Sequence, residues 1–273
     1  MPVRIITDSS ADLPEEVIEE LDITVVDLHV MRDEEGQDSS TSGLSSLELT
    51  AAYARQLERG GDEGVLALHL SKELSSTWSA AVQAAAVFPD DLVRVVDTGS
   101  VGMAVGAAAM AAAKVASEGA DLDECHDIAV GTLERSATWV YLHGIEEMRK
   151  SGRMSAATTV QSAVLLATKP IMQIRGGRLE LAGKTRTQSK AFTKLVELVI
   201  ERAGGDPAFV AIQHNDADEA ATDLHNMLAD VLPEGSSIMT MLMEATLAVH
   251  TGAGAIGLSA VFSARPEDFS PVS

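Results

Sequence analysis

The chain has 273 residues, of which 46% are hydrophobic and 22% charged, the balance of a globular protein with room for a sizeable core; wholesale disorder and a disulfide-stapled miniprotein are both excluded. Forty-one acidic against twenty basic residues give a formal charge of −21, which repels nucleic acid and anionic membranes. Two Trp, two Tyr and five Phe leave little for base stacking, so no nucleic-acid partner is expected.

Residues 3–7 form a β-rich run, followed by Asp8 and Ser9 as turn and cap residues and by Pro14-Glu15-Glu16 at a helix start. A second strand is predicted over 23–30, and Ser45-Ser46-Leu47-Glu48 reads as a capping box opening a helix. Strands at 65–70 and 92–96 alternate with a helix opened by Ser75 and an Ala-rich helix over 100–118, and 138–143 completes the series. This alternation predicts βαβ units and a parallel sheet for about the first 150 residues, with ligands at the carboxyl ends of the strands.

After Arg149 the character changes. Ser151-Gly152, Gly176-Gly177 and Gly183 punctuate short segments, and 171–174 with 178–181 resembles a hairpin. Helices at 189–203 and 217–232 and strands at 209–213, 238–243 and 246–250 follow. The expected fold class is α/β in two lobes, a parallel-sheet α/β/α lobe over 1–150 and a mixed α/β lobe over 151–273.

Asp8 stands where a signal peptide needs its apolar run, and the lone Cys125 suits a reducing compartment. The longest weakly apolar run, 101–113, ends at Lys114 and falls short of the roughly 20 residues that span a bilayer. A cytoplasmic protein without an integral membrane segment is expected.

The seven histidines form no HExxH, there is no cysteine pair for zinc, and no P-loop is present, so neither metal nor cofactor is expected. A GxGxxG does occur at 252–257, but too few residues follow it for a dinucleotide unit, and its glycines are expected to pack tightly beside His250 or to approach a ligand. Charge is uneven: residues 149–194 hold ten basic side chains against Glu180 alone, a segment charge of +9 that leaves −30 for the rest. That segment is either a solvated face or a dock for an anion.

Four polar groups remain for chemistry. Thr41-Ser42 lies in a Ser/Thr/Gly-rich loop, Ser75-Ser76-Thr77 opens a helix, Arg153 follows Ser151-Gly152, and His250 ends a late strand. Each has a plainer explanation, Ser75 or Thr77 as an N-cap and His250 as a satisfied buried imidazole. Together, hydroxyls, an imidazole and a guanidinium offer protons to a carboxylate. The same set allows an alternative, a serine hydrolase using Ser75 and His250, against which stands the lack of a GxSxG elbow.

Six ordered blocks carry a resemblance. Thr7-Asp8-Ser9-Ser10-Ala11-Asp12-Leu13-Pro14, Leu74-Ser75-Ser76-Thr77-Trp78, Val96-Asp97-Thr98-Gly99-Ser100 and Ser151-Gly152-Arg153-Met154-Ser155 are four of them. Lys169-Pro170-Ile171 with Gly183-Lys184-Thr185-Arg186-Thr187, and His250-Thr251-Gly252-Ala253-Gly254, complete the set. They are similar to the TDSxADLP, LSGTY, IDSK, GGRIS, KPIL/GKVRT and HTGPG motifs of the DegV family. Ser76 stands in place of a glycine and Ala253 in place of a proline, and the segment between the second strand and Thr41 is short.

The resemblance implies a two-lobed α/β protein that binds a long-chain fatty acid between its lobes. It implies a non-catalytic subunit that presents the carboxylate to a separate ATP-dependent fatty acid kinase subunit for acyl phosphate and phospholipid synthesis. Carried over by position, the carboxylate ligands are Thr41, Ser75 and His250, supported by Arg153, and Arg186 is the kinase contact.

Overall fold

The computed structural model describes residues 2–89, 91–154 and 167–263. The chain divides into two compact units, 1–133 and 134–273. The boundary falls ahead of the expected one at 150 because Ser136–Tyr141 hydrogen-bonds into the second unit's sheet, not the first.

The first unit is built on a four-stranded parallel sheet of β1 (Arg4–Asp8), β2 (Thr24–Val26), β5 (Val65–His69) and β6 (Val93–Asp97), in the order β2-β1-β5-β6. β1 and β5 are buried at every position, as parallel strands covered on both faces must be. Small side chains of α4 (Met103–Ser117), Ala108, Ala109, Ala112, Ala113 and Ala116 among them, pack against Ile5, Leu66, Leu68 and Val96. On leaving β1 the chain adds β2 on one side and β5 with β6 on the other, so the order reverses between β1 and β5. Their carboxyl ends are where a ligand crevice belongs.

The single strand expected over 23–30 is two. Leu28 N–H donates to Ser9 Oγ at 3.0 Å, which draws the chain out of the sheet, and β3 (His29–Arg32) pairs instead with β4 (Asp38–Ser42) as an antiparallel ribbon. The expected capping box is present at α2 (Ser46–Gly60): Ser45 Oγ accepts from Glu48 N–H at 3.3 Å and Glu48 Oε2 from Ser45 N–H at 2.8 Å.

The second unit contains a six-stranded mixed sheet in the order β11-β10-β12-β7-β8-β9. Its strands are β7 (Ser136–Tyr141), β8 (Lys169–Arg175), β9 (Arg178–Thr185), β10 (Ala208–His214), β11 (Ser237–Leu242) and β12 (Ile256–Phe262). All neighbours are antiparallel except β10 and β11, and β8 with β9 is the expected hairpin. One face carries Trp139, Tyr141, Val210, Ile212 and Leu258 against the helices Gln188–Ala203 and Asp218–Ala229. The strand expected over 246–250 is a helix, Ala245–Thr251: Glu244 Oε2 accepts Ala245 N–H at 2.8 Å and Asn215 Nδ2 donates to Ala248 C=O at 3.2 Å, so side chains hold both ends of the turn. β12 follows it as a strand that sequence reading had not placed.

Among the described residues no helix is long and apolar enough to cross a membrane.

Candidate functional site

Each unit places its own polar groups. In the first, Thr41 lies on β4, not in a loop, because the Ser/Thr-rich run pairs with β3, Thr41 opposite Val30. Thr41 is half-buried. Ser75 precedes the helix rather than opening it: α3 spans Thr77–Ala85, and Ser75 Oγ accepts Thr77 N–H at 3.2 Å and lies 3.0 Å from Thr77 Oγ1. Part of the plainer explanation therefore holds, since Ser75 satisfies an orphan donor of the first turn. Thr77 Oγ1 also accepts Leu44 N–H at 3.3 Å, which ties the segment after β4 to the segment after β5.

Beneath these hydroxyls, at the β1/β5 strand ends, lies a buried network that sequence reasoning did not find. Asp8 Oδ2 accepts from His69 Nδ1 at 2.9 Å and from Leu70 N–H at 3.1 Å; its other oxygen accepts from the backbone and hydroxyl of Ser10. Tyr53 OH lies 3.0 Å from His69 Nε2. With Nδ1 donating to the carboxylate, Nε2 accepts and the tyrosine donates. The Tyr53 hydroxyl is held far above its usual pKa by burial and then by the Asp8 charge. Asp8 thus pins the first residue of the loop that leads to Ser75. It is the cap residue expected from sequence, N-cap of the turn Ser9–Ala11, and more than that.

In the second unit Arg153 and His250 meet. Arg153 Nη1 lies 3.2 Å from Ser151 C=O and 3.4 Å from His250 Nδ1. Guanidinium has no acceptor, so the imidazole is neutral, takes this bond at Nδ1 and carries its proton on Nε2 as a donor. Consistently, burial and the Arg153 charge lower the His250 pKa to about 4, against the pull of a helix C-terminus. Burial also lowers the Arg153 pKa. The glycines after His250 do not pack beside it: Gly254, at φ +79°, sits where a Cβ would come within 2.9 Å of His143, and one on Gly252 would come within 3.2 Å of Glu147. Ser155, which ends the Arg153 block, is outside the described residues.

This pairing removes the footing of the hydrolase alternative. A triad histidine is stabilised as imidazolium by a carboxylate on one ring nitrogen, whereas Nδ1 of His250 faces the Arg153 guanidinium. Arg186 is not grouped with these residues. It is exposed just past β9, among the exposed cations Lys184 and Lys190. Among the described residues no group of three or more His, Cys, Asp or Glu is placed to hold a metal ion.

The fold is that of a two-unit α/β protein whose second unit sets an imidazole beside a guanidinium. Its sequence matches the family model described as uncharacterised protein, DegV family, over residues 2–39 and 33–263, and the chain belongs to the DegV family. A DegV domain-containing protein of Corynebacterium glutamicum is 65% identical over 270 residues, 99% of this chain and 97% of the relative. The crystal structure of a DegV family protein from that organism superposes with a TM-score of 0.93 at 65% identity, covering 97% of this chain and 99% of that one. A DegV family protein from Thermus thermophilus, described for its fatty acid binding, superposes with a TM-score of 0.86 at 27% identity, covering 96% and 99%.

Proposed function

We propose that the chain binds a long-chain fatty acid and, without catalysing a reaction itself, presents the carboxylate to a separate ATP-dependent fatty acid kinase subunit. The carboxylate ligands in this reading are Thr41 and Ser75 from the first unit and His250 from the second, with Arg153 holding the imidazole. The observation that carries it is the Arg153–His250 pair, which sets a neutral imidazole with its proton on Nε2 beside a guanidinium, an N–H donor and a cation that together suit an anion. The Thermus relative's fatty acid binding gives the anion its class. An acyl tail adds about 0.8 kcal/mol of gross driving force per buried methylene, much of it offset by ordering costs.

Mass spectrometry of organic extracts from gently purified protein tests this directly. A stoichiometric long-chain fatty acid is the expected result, and an empty extract combined with failure to reload the delipidated protein overturns the reading.

In the same reading Arg186, exposed on the basic segment, contacts the kinase. Arg186→Ala is therefore expected to leave fatty acid affinity unchanged and to lower kinase-dependent acyl phosphate formation about tenfold, as loss of one interface arginine does. Equal formation rates for the two proteins would remove Arg186 from the interface.

A further inference from the structure

Gly43 lies in the short connection between β4, which carries Thr41, and the cap Ser45 of α2. A Cβ built on it would stand 2.8 Å from Thr77 Oγ1, 3.0 Å from Ser75 Oγ and 3.1 Å from Ser76 Oγ. Three hydroxyl oxygens from consecutive residues thus converge on the one side of this backbone that lacks a side chain.

The contacts around it are mutual. Thr77 Oγ1 accepts the N–H of Leu44, the next residue, at 3.3 Å, and pairs with Ser75 Oγ at 3.0 Å. Thr77 is fully buried, so its oxygen has nowhere to retreat, whereas Ser75 is half-buried and Ser76 exposed. A methyl group at position 43 meets the immobile Thr77 oxygen most closely, so the backbone at 43 must draw back from the Ser75–Thr77 segment, and the more mobile serine hydroxyls lose their placement beside it. Thr41 lies two residues before Gly43, on the strand that leads into it.

We infer that Gly43 is a positioning residue for anion recognition: the missing side chain is the space that lets the hydroxyls of Ser75 and Ser76 gather beside the Thr41 strand. This rests on the fatty acid carboxylate reading above. Gly43 acts through the serines and touches no ligand atom itself. A displaced hydroxyl loses its bond to a carboxylate, while an acyl tail, held elsewhere by apolar contact, is indifferent to it.

The test compares palmitate with methyl palmitate, whose neutral ester is a weak acceptor, by displacement of a fluorescent fatty acid analogue from the delipidated full-length protein. For Gly43→Ala the expected result is a loss of palmitate affinity of about tenfold or more, with ester affinity unchanged within about twofold. Pairing it with Ser76→Gly, which relieves one of the three contacts, should recover part of the loss. Equal losses for acid and ester mean general damage to the fold and overturn the inference, as does no loss for either. Should Gly43→Ala fail to fold, the Gly43→Ala/Ser76→Gly protein carries the same comparison, and acid affinity equal to the wild type then overturns it. A wild-type chain that binds acid and ester equally well overturns the carboxylate reading itself, which separates that failure from this one.

Discussion

Asp8→Ala is expected to lower the melting temperature of the protein by about 10 °C, the largest stability effect of any single substitution at the strand ends. The Asp8 and His69 side chains are both at 0% exposure, and the carboxylate takes four hydrogen bonds, two from Ser10 and one each from His69 and Leu70. Removing one partner of such a buried pair costs about 3–5 kcal/mol, because the donors left behind can reach no water. For a chain of this size each kcal/mol moves the midpoint by about 2–4 °C. Asp8→Asn is the informative companion. With its amide oxygen at the Oδ2 position it can still accept from His69 Nδ1 and Leu70 N–H, but its NH2 group then faces the N–H and hydroxyl of Ser10, and turned the other way it faces the Leu70 N–H donor. An intermediate loss is expected for it. Calorimetry of the three proteins checks both, and a midpoint for Asp8→Ala within about 2 °C of the wild type would show that the network is not the pin it is taken for.

That network illustrates what was legible in the sequence and what was not. The alternation of strands and helices pointed to the parallel sheet, since β1 and β5 carry short β-prone runs, Ile5-Ile6 and residues 65–68, followed by polar loops. The Ser45/Glu48 capping box was legible because it is local, three residues apart. By the same rule the helix Leu122–Glu134 could have been found from Asp121 and Glu124, which cap each other at 2.9 and 3.0 Å, but Cys125, His126 and Gly131 weaken its pattern. Asp8 and His69 lie 61 residues apart, and nothing in either neighbourhood signals the other. Only the adjacency of β1 and β5 joins them.

The second unit was harder for a similar reason. Residues 246–250, Thr-Leu-Ala-Val-His, contain enough β-branched side chains to pass for a strand, and what makes them helical comes from outside the run, from Glu244 and Asn215. The roles of Thr41, Ser75, His250 and Arg153 as carboxylate ligands rest on resemblance, since hydroxyls, an imidazole and a guanidinium scattered along a sequence each have plainer explanations. The Arg153–His250 contact spans 97 residues and could not have been read from composition or spacing. A glycine in a Ser/Thr-rich stretch looks like a turn, and the three hydroxyls that surround Gly43 arrive from after β5, more than 30 residues on.

Replacing both Ser75 and His250 by Ala is expected to weaken fatty acid binding by about 100-fold or more, the largest functional effect, while the affinity for the methyl ester changes little. Each hydrogen bond to a carboxylate contributes about 1.5–3 kcal/mol, and the two act on one group, so the double loss need not equal the sum of the single ones. A double variant that retains its lipid on purification would remove both residues from the site. Protonation offers a second, independent readout of His250. Its pKa in the folded chain is about 4, below the ordinary value of 6.5, so the unfolded chain binds the proton first as pH falls. Stability conferred by the neutral ring is complete above pH 6.5 and is lost as pH drops toward 4. A bound carboxylate at Nε2–H favours the charged ring and raises that pKa, so the lipid-loaded protein should lose less stability than the lipid-free protein between about pH 6.5 and 5, with proton uptake on binding in that window. Titration calorimetry in two buffers of different ionisation enthalpy measures the uptake. In His250→Ala the uptake should vanish; if it persists unchanged, the proton goes to another group and His250 is not the carboxylate's donor.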